Sequence, residues 1–342
     1  MNIMKFGLQF KVRGDNFGGH FINGISMADS ESFWKCKLVS ADDDKNVYES
    51  ADGYKITAYH IKKGDVYECY TVFENNGDKT VTLDMISSFA ITDIDADTLH
   101  RATSFWSAEG KMLSQKLTEL NMERSWSGHG IRIEKFGQIG SMPVRKWFPF
   151  VAVENSERNK FIGVQLYIPS SWQIELFRHK EPLTLLGGLA DFDYGHWCKE
   201  IKPNESFTTP KAVVAVGDSL LKVCDMLVKA QNPDISPVDE DLPVIFNEYC
   251  TSWGNPTIEN LEKTAKKLQG SGVKYLVMDS GWYKEDGKEW WDTIGDWNVN
   301  KSQFPDGLKP VCDMIKSYGL IPGIWFEMEN VAPLSQIYNE TD

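Results

Sequence analysis

The stretch VKYLVMDSGWY, residues 273–283, decides the fold of the C-terminal part of the chain. Its apolar first half is typical of a strand buried inside a parallel sheet. The run then ends in an acid, a serine, a glycine and a tryptophan, residue types that a core does not require. Because parallel α/β folds bind ligands at the carboxyl ends of their strands, we expect Asp279 to lie at the mouth of a sheet or barrel.

Strand and helix patterns alternate on both sides of this stretch. Residues 243–250 predict a strand, and residues 257–272 predict a helix with Thr257 as its N-cap and glycines at its end. Residues 306–319 predict a second helix, and residues 320–329 predict a third strand. This strand–helix alternation favours a parallel sheet in the C-terminal part of the chain.

The N-terminal part has a different pattern. Short runs rich in aromatic and β-branched residues are separated by turn residues, which predicts a large antiparallel β-sandwich over residues 1–216. A helix and a proline-rich acidic linker follow over residues 217–241. The predicted strands are residues 54–61, 65–74, 80–91, 146–155 and 160–168.

Charge and composition narrow the class of ligand. The chain carries 36 Lys and Arg against 49 Asp and Glu, a net charge of −13, which disfavours nucleic acid and anionic membranes as partners. An uncharged or cationic small molecule fits better. The 12 Trp and 12 Tyr residues fit either a β-rich core or a sugar-binding site, where indole faces stack on pyranose rings.

No cofactor or metal is expected from the sequence. The six cysteines have no metal-ligand spacing, the six histidines are dispersed, and no phosphate-binding glycine loop follows a strand. The N-terminus shows no signal-peptide pattern, and no apolar run reaches the length of a membrane span. We therefore expect a cytoplasmic protein with free thiols.

Acids and indoles occur at the ends of all three predicted C-terminal strands. They are Asn247, Glu248, Tyr249 and Trp253 at the end of the first, Asp279, Ser280 and Trp282 at the end of the second, and Trp325, Glu327 and Glu329 at the end of the third. Carboxylates accept hydrogen bonds from sugar hydroxyls, and indoles cover the apolar face of a sugar ring. Each residue also has a structural alternative, since Asp279 can form an Asx-turn, the glutamates can be solvated and the indoles can be packing residues.

The order of these motifs resembles glycoside hydrolase family 36, the melibiase-type α-galactosidases. The segment MDSGWY is similar to the family's Asp-Asp-Gly-Trp turn, and the Gly-Asp-Trp at 295–297, the helix entry at 304–309 and the Trp-Phe-Glu at 325–327 match further family motifs. The match extends over about 100 residues, with weaker similarity in the segments SFWSAEGK and GSMPVRKWFPFVAVEN.

This resemblance implies an N-terminal β-supersandwich followed, over residues 242–342, by the first three βα units of a (β/α)₈ barrel. It implies a retaining double displacement by two aspartates, of which neither matches Asp279. Asp279 corresponds instead to an acid that binds galactose hydroxyls, and Trp325 to an indole at the sugar site. Ser280, Trp282 and Glu327 complete the expected substrate contacts, with a glycoside or oligosaccharide as the ligand and a homo-oligomer as the assembly.

Two departures from the family pattern change these expectations. Ser280 replaces the second acid of the turn, so an N-acetylgalactosaminide or another galactose-like sugar becomes a candidate substrate. No Lys-Trp-Asp motif, which carries the family's nucleophile, occurs in the sequence. We therefore expect an N-terminal portion of a longer enzyme, inactive alone, with its catalytic residues beyond Asp342. The alternatives are a non-catalytic carbohydrate-binding fragment and a raffinose-synthase-like transferase.

Overall fold

The computed structural model describes residues 4–16, 22–124, 130–179 and 183–340. The outer ends of the predicted domains, Met1 and Asp342, lie outside these described residues. The chain divides into two compact units, Met1–Asn232 and Pro233–Asp342.

The first unit is built almost entirely of strands. Its first ten strands are β1 (Lys5–Phe6), β2 (Phe10–Val12), β3 (Lys37–Ala41), β4 (Lys45–Glu49), β5 (Tyr54–Lys63), β6 (Val66–Asn75), β7 (Val81–Ile86), β8 (Phe89–Ile94), β9 (Thr98–Thr103) and β10 (Lys111–Lys116). The next eight are β11 (Ile131–Gln138), β12 (Trp147–Asn155), β13 (Lys160–Leu166), β14 (Trp172–His179), β15 (Leu183–Leu189), β16 (Lys199–Ile201), β17 (Ser206–Thr208) and β18 (Ala212–Gly217). Its helices are α1 (Glu31–Lys35), α2 (Phe192–Gly195) and α3 (Leu220–Gln231).

These strands form three antiparallel sheets. A ten-stranded sheet runs in the order β10-β9-β12-β13-β18-β6-β5-β4-β3, with β17 also paired to β6. A five-stranded sheet has the order β1-β8-β15-β14-β11, and a three-stranded sheet has the order β16-β7-β2. The prediction of an N-terminal part made mostly of β-sheets is confirmed.

The two largest apolar cores among the described residues of the first unit pack these sheets together. In the larger one, Ile174 and Leu185 of the five-stranded sheet meet Val151 and Val164 of the ten-stranded sheet, and all four side chains are buried. In the smaller one, residues of the three-stranded sheet pack against β5 and β6 of the ten-stranded sheet. Strand β6 alternates between more and less buried side chains, whereas β14 and β15 are buried along almost their whole length.

The prediction of one strand over residues 80–91 is wrong. The run splits at Ser87 and Ser88 into β7 and β8, which belong to different sheets. The backbone N–H of Ser87 donates to the carbonyl of Gln9, and that of Ser88 donates to the carbonyl of Gly187. The continuous apolar pattern arises because both halves are buried, each against a different core.

Helix α3 forms where helical spacing predicts it. Ser219 caps its first turn by accepting from the backbone N–H of Lys222, and the buried Val223 and Leu227 pack against strands of the first unit. A methyl group on Gly163 of β13 would stand 2.1 Å from a methyl carbon of Val223. The absence of a side chain at residue 163 therefore lets this helix lie directly on the sheet.

The second unit contains three strands and four helices among its described residues. In chain order they are β19 (Val244–Asn247), α4 (Tyr249–Ser252), α5 (Ile258–Leu268), β20 (Val273–Met278), α6 (Lys309–Ser317), β21 (Ile321–Ile324) and α7 (Gln336–Glu340), with a 3₁₀ turn at Trp290–Asp292. Thr257 caps α5 as predicted, accepting from the backbone N–H of Asn260 at 3.1 Å.

The three strands pair in parallel in the order β19-β20-β21. Leu276 and Met278 of the central strand are buried with Leu261 and Ala265 of α5 and with apolar residues of α6. The sheet is open, and the described residues form no closed barrel. β19 is shorter than predicted, because the chain turns into α4 at Tyr249.

No helix among the described residues combines the length and the apolar character needed to span a bilayer.

Candidate functional site

Asp279 lies directly after the central strand β20, and its carboxylate is held by two neighbours. The side-chain amide of Asn247, at the end of β19, donates to one carboxylate oxygen at 2.6 Å. The backbone N–H of Ser280 donates to the other at 2.7 Å. The Asn247 amide is itself oriented, since its oxygen accepts from the backbone N–H of Tyr249 at 2.9 Å. The carboxylate of Asp279 is thus fixed in orientation, and each oxygen keeps a second lone pair.

Glu248 also holds the end of β20 in place through hydrogen bonds. Its side chain is fully buried, and a carboxylate oxygen accepts from the backbone N–H of Asp279 at 3.2 Å. Its own N–H donates to the carbonyl of Val277 at 3.1 Å, which extends the pairing of β19 with β20 by one step. Burial raises the pKa of Glu248, and the nearby Asp279 carboxylate adds to that rise.

Two glycines explain why the segments after β19 and β20 approach so closely. Gly281 has a φ of +95°, and a Cβ atom there would lie 2.0 Å from the carbonyl oxygen of Gly254. Gly254 has a φ of +78°, and its Cβ would lie 2.2 Å from the indole of Trp290. Any side chain at residue 281 would therefore push the two segments apart.

Trp282 and Trp325 are joined to each other by a hydrogen bond. The indole N–H of Trp282 donates to the backbone carbonyl of Trp325 at 3.1 Å. Trp282 is only 2% exposed, whereas Trp325 is half-buried. The backbone N–H of Trp325 donates to the carbonyl of Met278 at 2.9 Å, which anchors the end of β21 to β20. Trp282 is therefore a packing residue, while part of the Trp325 side chain remains accessible.

An aromatic cluster surrounds these two indoles. Trp297 stacks on Trp282 at 6.1 Å between ring centroids and contacts Trp325 edge-on at 6.2 Å. Trp290 contacts Trp325 edge-on at 6.1 Å and Tyr249 at 6.1 Å. Edge-to-face and offset pairs at these distances are favourable, so the rings fix one another's planes.

Two buried hydroxyls near Asp279 have no hydrogen-bond partner among the described residues. They are the Oγ atom of Ser280, which is fully buried, and the phenol of Tyr283, which is 2% exposed. Burial raises the pKa of Tyr283 well above its ordinary value, and the carboxylates of Glu327 and Asp279 add to the rise. The phenol therefore stays protonated and is available as a donor beside the two acids.

The acids that follow β21 are more exposed than Asp279. Glu327 is half-buried, and one of its carboxylate oxygens accepts from the side-chain amide of Asn330. Glu329 is exposed.

The aspartate of the Gly-Asp-Trp motif has a structural role. The carboxylate of Asp296 accepts from the backbone N–H groups of Gln336 and Ile337 at 2.9 and 3.0 Å, which caps the first turn of α7.

The structure brings Asp279, Ser280, Trp282 and Trp325 together at one end of the parallel sheet, with Glu327 near Tyr283. Sequence reasoning placed Asn247 and Glu248 at a strand end without giving them a role at Asp279. The available signal was their position, with Asn247 as the last residue of β19 and Glu248 directly after it, beside β20. Trp290 had no such signal, because its place depends on the path of a long loop. Tyr283 is the last residue of the MDSGWY motif, and sequence reasoning gave it no role.

No group of three or more His, Cys, Asp or Glu side chains that could hold a metal ion occurs in the described parts of the chain. All six cysteines lie within those parts and are free thiols.

The comparison with known proteins agrees with the motifs. Residues 206–342 match the family described as Melibiase. The chain is 25% identical over 281 residues to α-galactosidase Mel36A of Lactobacillus acidophilus, covering 78% of this chain and 36% of that protein. It is 28% identical over 162 residues to α-galactosidase AgaA of Geobacillus stearothermophilus, covering 45% of this chain and 21% of that protein.

Solved structures share the fold. The family 36 α-galactosidase AgaA of Geobacillus stearothermophilus superposes with a TM-score of 0.74 at 20% identity, covering 98% of this chain and 46% of AgaA. The α-galactosidase of Lactobacillus brevis superposes with a TM-score of 0.73 at 17% identity, covering 99% and 44%. The chain spans 36% of the Mel36A length, and less than half of either solved protein. The resemblance to the melibiase-type glycoside hydrolase family 36 that the sequence indicates is confirmed, by the family match over residues 206–342 and by the similarity to Mel36A over 78% of the chain.

Proposed function

We propose that this chain forms the galactose-binding side of a retaining glycoside hydrolase that acts on terminal α-galactosides. The observation that carries the proposal is the carboxylate of Asp279, fixed at the end of the central parallel strand by Asn247 at 2.6 Å and by the Ser280 backbone at 2.7 Å. A carboxylate held in this way accepts two sugar hydroxyls without first having to be ordered.

The neighbouring residues supply the other contacts that a pyranose needs. The half-buried indole of Trp325 covers the apolar C–H face of the ring, and its plane is set by Trp290 and Trp297. Glu327 accepts from a further hydroxyl, with the Tyr283 phenol beside it. Trp282 acts through Trp325, whose carbonyl it holds.

Ser280 determines which galactose-like sugar is preferred in this proposal. Serine has no fixed charge and is shorter than the aspartate of the family turn, so a hydroxyl that the acid would bind loses a partner. An α-N-acetylgalactosaminide or a β-L-arabinopyranoside is therefore a candidate substrate beside the α-galactoside.

The parallel sheet is proposed to be the start of a (β/α)₈ barrel. β19 and β21 each leave one edge unpaired among the described residues, and Val244 and Ile245 of β19 are about 60% exposed. Further parallel strands would satisfy both edges. The nucleophile and the acid/base are proposed to lie outside this sequence, because it contains no Lys-Trp-Asp motif. The chain alone would then bind sugar without hydrolysing it.

The same absence of the nucleophile motif favours one second candidate, a carbohydrate-binding fragment with no catalytic role. The two candidates agree on the sugar site and differ only in whether a catalytic segment completes it. The open reading frame beyond residue 342 distinguishes them, since a continuation with Lys-Trp-Asp supports the hydrolase and a stop codon supports the binding fragment. A cytoplasmic location and a homo-oligomer remain part of the proposal, the former supported by the six free thiols.

The experiment that tests the sugar assignment is a titration of the chain with galactose, 1-deoxygalactonojirimycin, N-acetylgalactosamine and glucose, followed by calorimetry and tryptophan fluorescence. We expect the galactose-configured ligands to bind and glucose to bind more weakly, with Asp279→Ala abolishing the difference. Absence of binding by all galactose-configured ligands would overturn the proposal. Nitrophenyl α-galactoside should not be hydrolysed, and turnover by the chain would overturn the placement of the catalytic acids elsewhere.

A further inference from the structure

A serine, a histidine and a glutamate of the first unit form a hydrogen-bonded chain across three neighbouring strands. They lie on β10, β9 and β12 of the ten-stranded sheet. The hydroxyl of Ser114 is 2.8 Å from Nδ1 of His100, and Nε2 of the same ring is 2.9 Å from a carboxylate oxygen of Glu154. Serine hydrolases activate their nucleophile through this order of groups, here with the roles of the two ring nitrogens exchanged.

The carboxylate of Glu154 determines which nitrogen of His100 carries the proton. An ionised carboxylate only accepts hydrogen bonds, so Nε2 donates to Glu154 and Nδ1 keeps its lone pair. That lone pair accepts from the Ser114 hydroxyl and is therefore positioned to remove its proton. His100 is only 5% exposed and contacts the ring of Phe161 at 5.8 Å, so the imidazole has little freedom to turn away.

The nucleophile and a donor for an oxyanion are both accessible at the edge of the sheet. β10 is the outermost strand, and Ser114 is exposed. The backbone N–H of Lys116 donates to the carboxylate of Glu119 at 2.8 Å and so points away from β9. Because successive N–H groups of a strand alternate in direction, the N–H of Ser114, two residues earlier, also points away from β9. A serine's own N–H can donate to the oxyanion that forms when the serine attacks a carbonyl.

An apolar pocket of about 200 Å³ begins one residue pair further along the same two strands. Ser114 lies opposite His100, and Met112 lies opposite Ala102 on the same face, at the start of the pocket. Other lining residues are Phe150 of β12 and Leu227 and Val228 of α3. Two residues of a strand span about 7 Å, so an acyl chain of several carbons attached to Ser114 would reach the pocket. No charged side chain of the described residues lines it, which excludes acyl groups that carry a charge.

We propose that Ser114, His100 and Glu154 form a second hydrolytic site, which cleaves uncharged carboxylic esters with a short apolar acyl chain. The Oγ atom of Ser114 attacks the ester carbonyl carbon, and its proton passes to Nδ1 of His100. The bond from that carbon to the alcohol oxygen then breaks, and the alcohol leaves with the proton. Water gives a proton to the same nitrogen as it attacks the acyl-serine, which releases the carboxylic acid and returns the proton to Ser114. All of these residues belong to the first unit, so the inference goes beyond the proposed function and does not depend on it.

The test measures hydrolysis of 4-nitrophenyl acetate and 4-nitrophenyl butanoate by the full chain, together with labelling by a fluorophosphonate probe. We expect faster cleavage of the butanoate and phosphonylation of Ser114, located by mass spectrometry of the labelled peptide. Ser114→Ala should lower the rate about 100-fold or more and abolish labelling, because no nucleophile remains beside His100. Ser40→Ala is the matched control, since it replaces an exposed serine on β3, at the opposite edge of the same sheet, and should change neither.

Glu154 is a positioning residue in this site and gives a second measurement. Glu154→Gln should lower kcat about tenfold or more with KM and the unfolding temperature unchanged, because a neutral amide does not stabilise the imidazolium formed during the attack. Equal esterase rates in wild type and Ser114→Ala would overturn the inference. An unlabelled Ser114 would also overturn it, because the three side chains would then only tie their strands together. Neither result would affect sugar binding by the second unit, so failure of this inference is distinct from failure of the proposed function.

Discussion

The side-chain amide of Asn247 donates to the carboxylate of Asp279 at 2.6 Å and so joins the ends of two adjacent parallel strands. The amide cannot rotate freely, because its oxygen is occupied by the N–H of Tyr249. A carboxylate with a fixed orientation pays less entropy when a ligand binds than one that must first be ordered. Asn247 is therefore a positioning residue for Asp279, and it yields the first prediction.

Asn247→Ala should weaken galactose binding about tenfold, because the Asp279 carboxylate loses its orienting donor. Isothermal titration of the purified variant measures the effect. Asn76→Ala, an exposed asparagine in the first unit, is the matched control. Wild-type affinity in the Asn247 variant would mean that the Ser280 backbone alone suffices to place the carboxylate.

Gly281→Ala should destabilise the second unit by about 3 kcal/mol or more, because a Cβ there stands 2.0 Å from the Gly254 carbonyl and the φ is positive. Gly287→Ala is the matched control, since its φ is also positive but no atom lies within 4 Å of the added Cβ. It should cost only about 1 kcal/mol. Urea unfolding followed by tryptophan fluorescence measures both, and equal losses would contradict the close approach.

Ser280→Ala should leave the free energy of unfolding unchanged or slightly higher. The hydroxyl of Ser280 is buried and has no partner among the described residues, so removing it relieves an unpaired polar group. Ser280→Asp should destabilise the chain, because it buries a second carboxylate beside Asp279. Thermal unfolding at neutral pH compares the two variants. A large loss in Ser280→Ala would reveal a partner for the hydroxyl.

Glu248 should make the stability of the chain depend on pH. Its pKa is raised in the folded state by burial, so the folded protein binds its proton more tightly than the unfolded chain does. Stability from this group is full at pH values below the ordinary glutamate pKa and falls as the pH rises toward the folded pKa. As the pH rises from the ordinary glutamate pKa to the folded pKa, the wild type should therefore lose unfolding free energy relative to Glu248→Gln. Glu259→Gln, which replaces an exposed glutamate of the same unit, is the matched control.

Asp97 should show the opposite dependence. Burial opposes its ionisation, but the Lys116 ammonium and the hydroxyl and N–H groups of Thr98 and Ser156 more than compensate, and its pKa is lowered. Its contribution is present above the ordinary aspartate pKa and is lost as the pH falls through the folded pKa. Because the carboxylate is 37% exposed, Asp97→Asn should cost only about 1 kcal/mol at neutral pH. Acid unfolding curves of the two proteins should converge at low pH.

The sequence predicted the element types better than the partners of each element. The helix cap at Thr257 and the parallel strands around residues 273–278 follow from local patterns, because capping and burial leave a periodic trace. The division of the chain at Ser87 and Ser88 leaves no periodic trace in the sequence, because two buried strands in different sheets give the same apolar run as one long strand. Which sheet a strand joins is decided by long-range contacts.

The candidate site shows the same limit. Motif spacing placed Asp279 and Trp325 at neighbouring strand ends, which the parallel register brings together. It did not reveal that Trp282 is buried with its N–H bonded to Trp325, or that Asp296 caps α7. In both cases the side-chain direction depends on turns with positive φ, at Gly281 and at Trp297, and residue type alone does not specify that direction.

The contact between the backbones at Gly254 and Gly281 has a consequence for how this rim can evolve. Two loops that touch main chain to main chain behave as one rigid piece, and neither can gain or lose a residue without displacing the other. Changes of sugar preference would then arise by exchanging individual side chains, such as the one at residue 280, while the loop lengths stay constant. Greater variation in length is expected in the long connection between Tyr283 and Trp297, which contains the exposed Trp291.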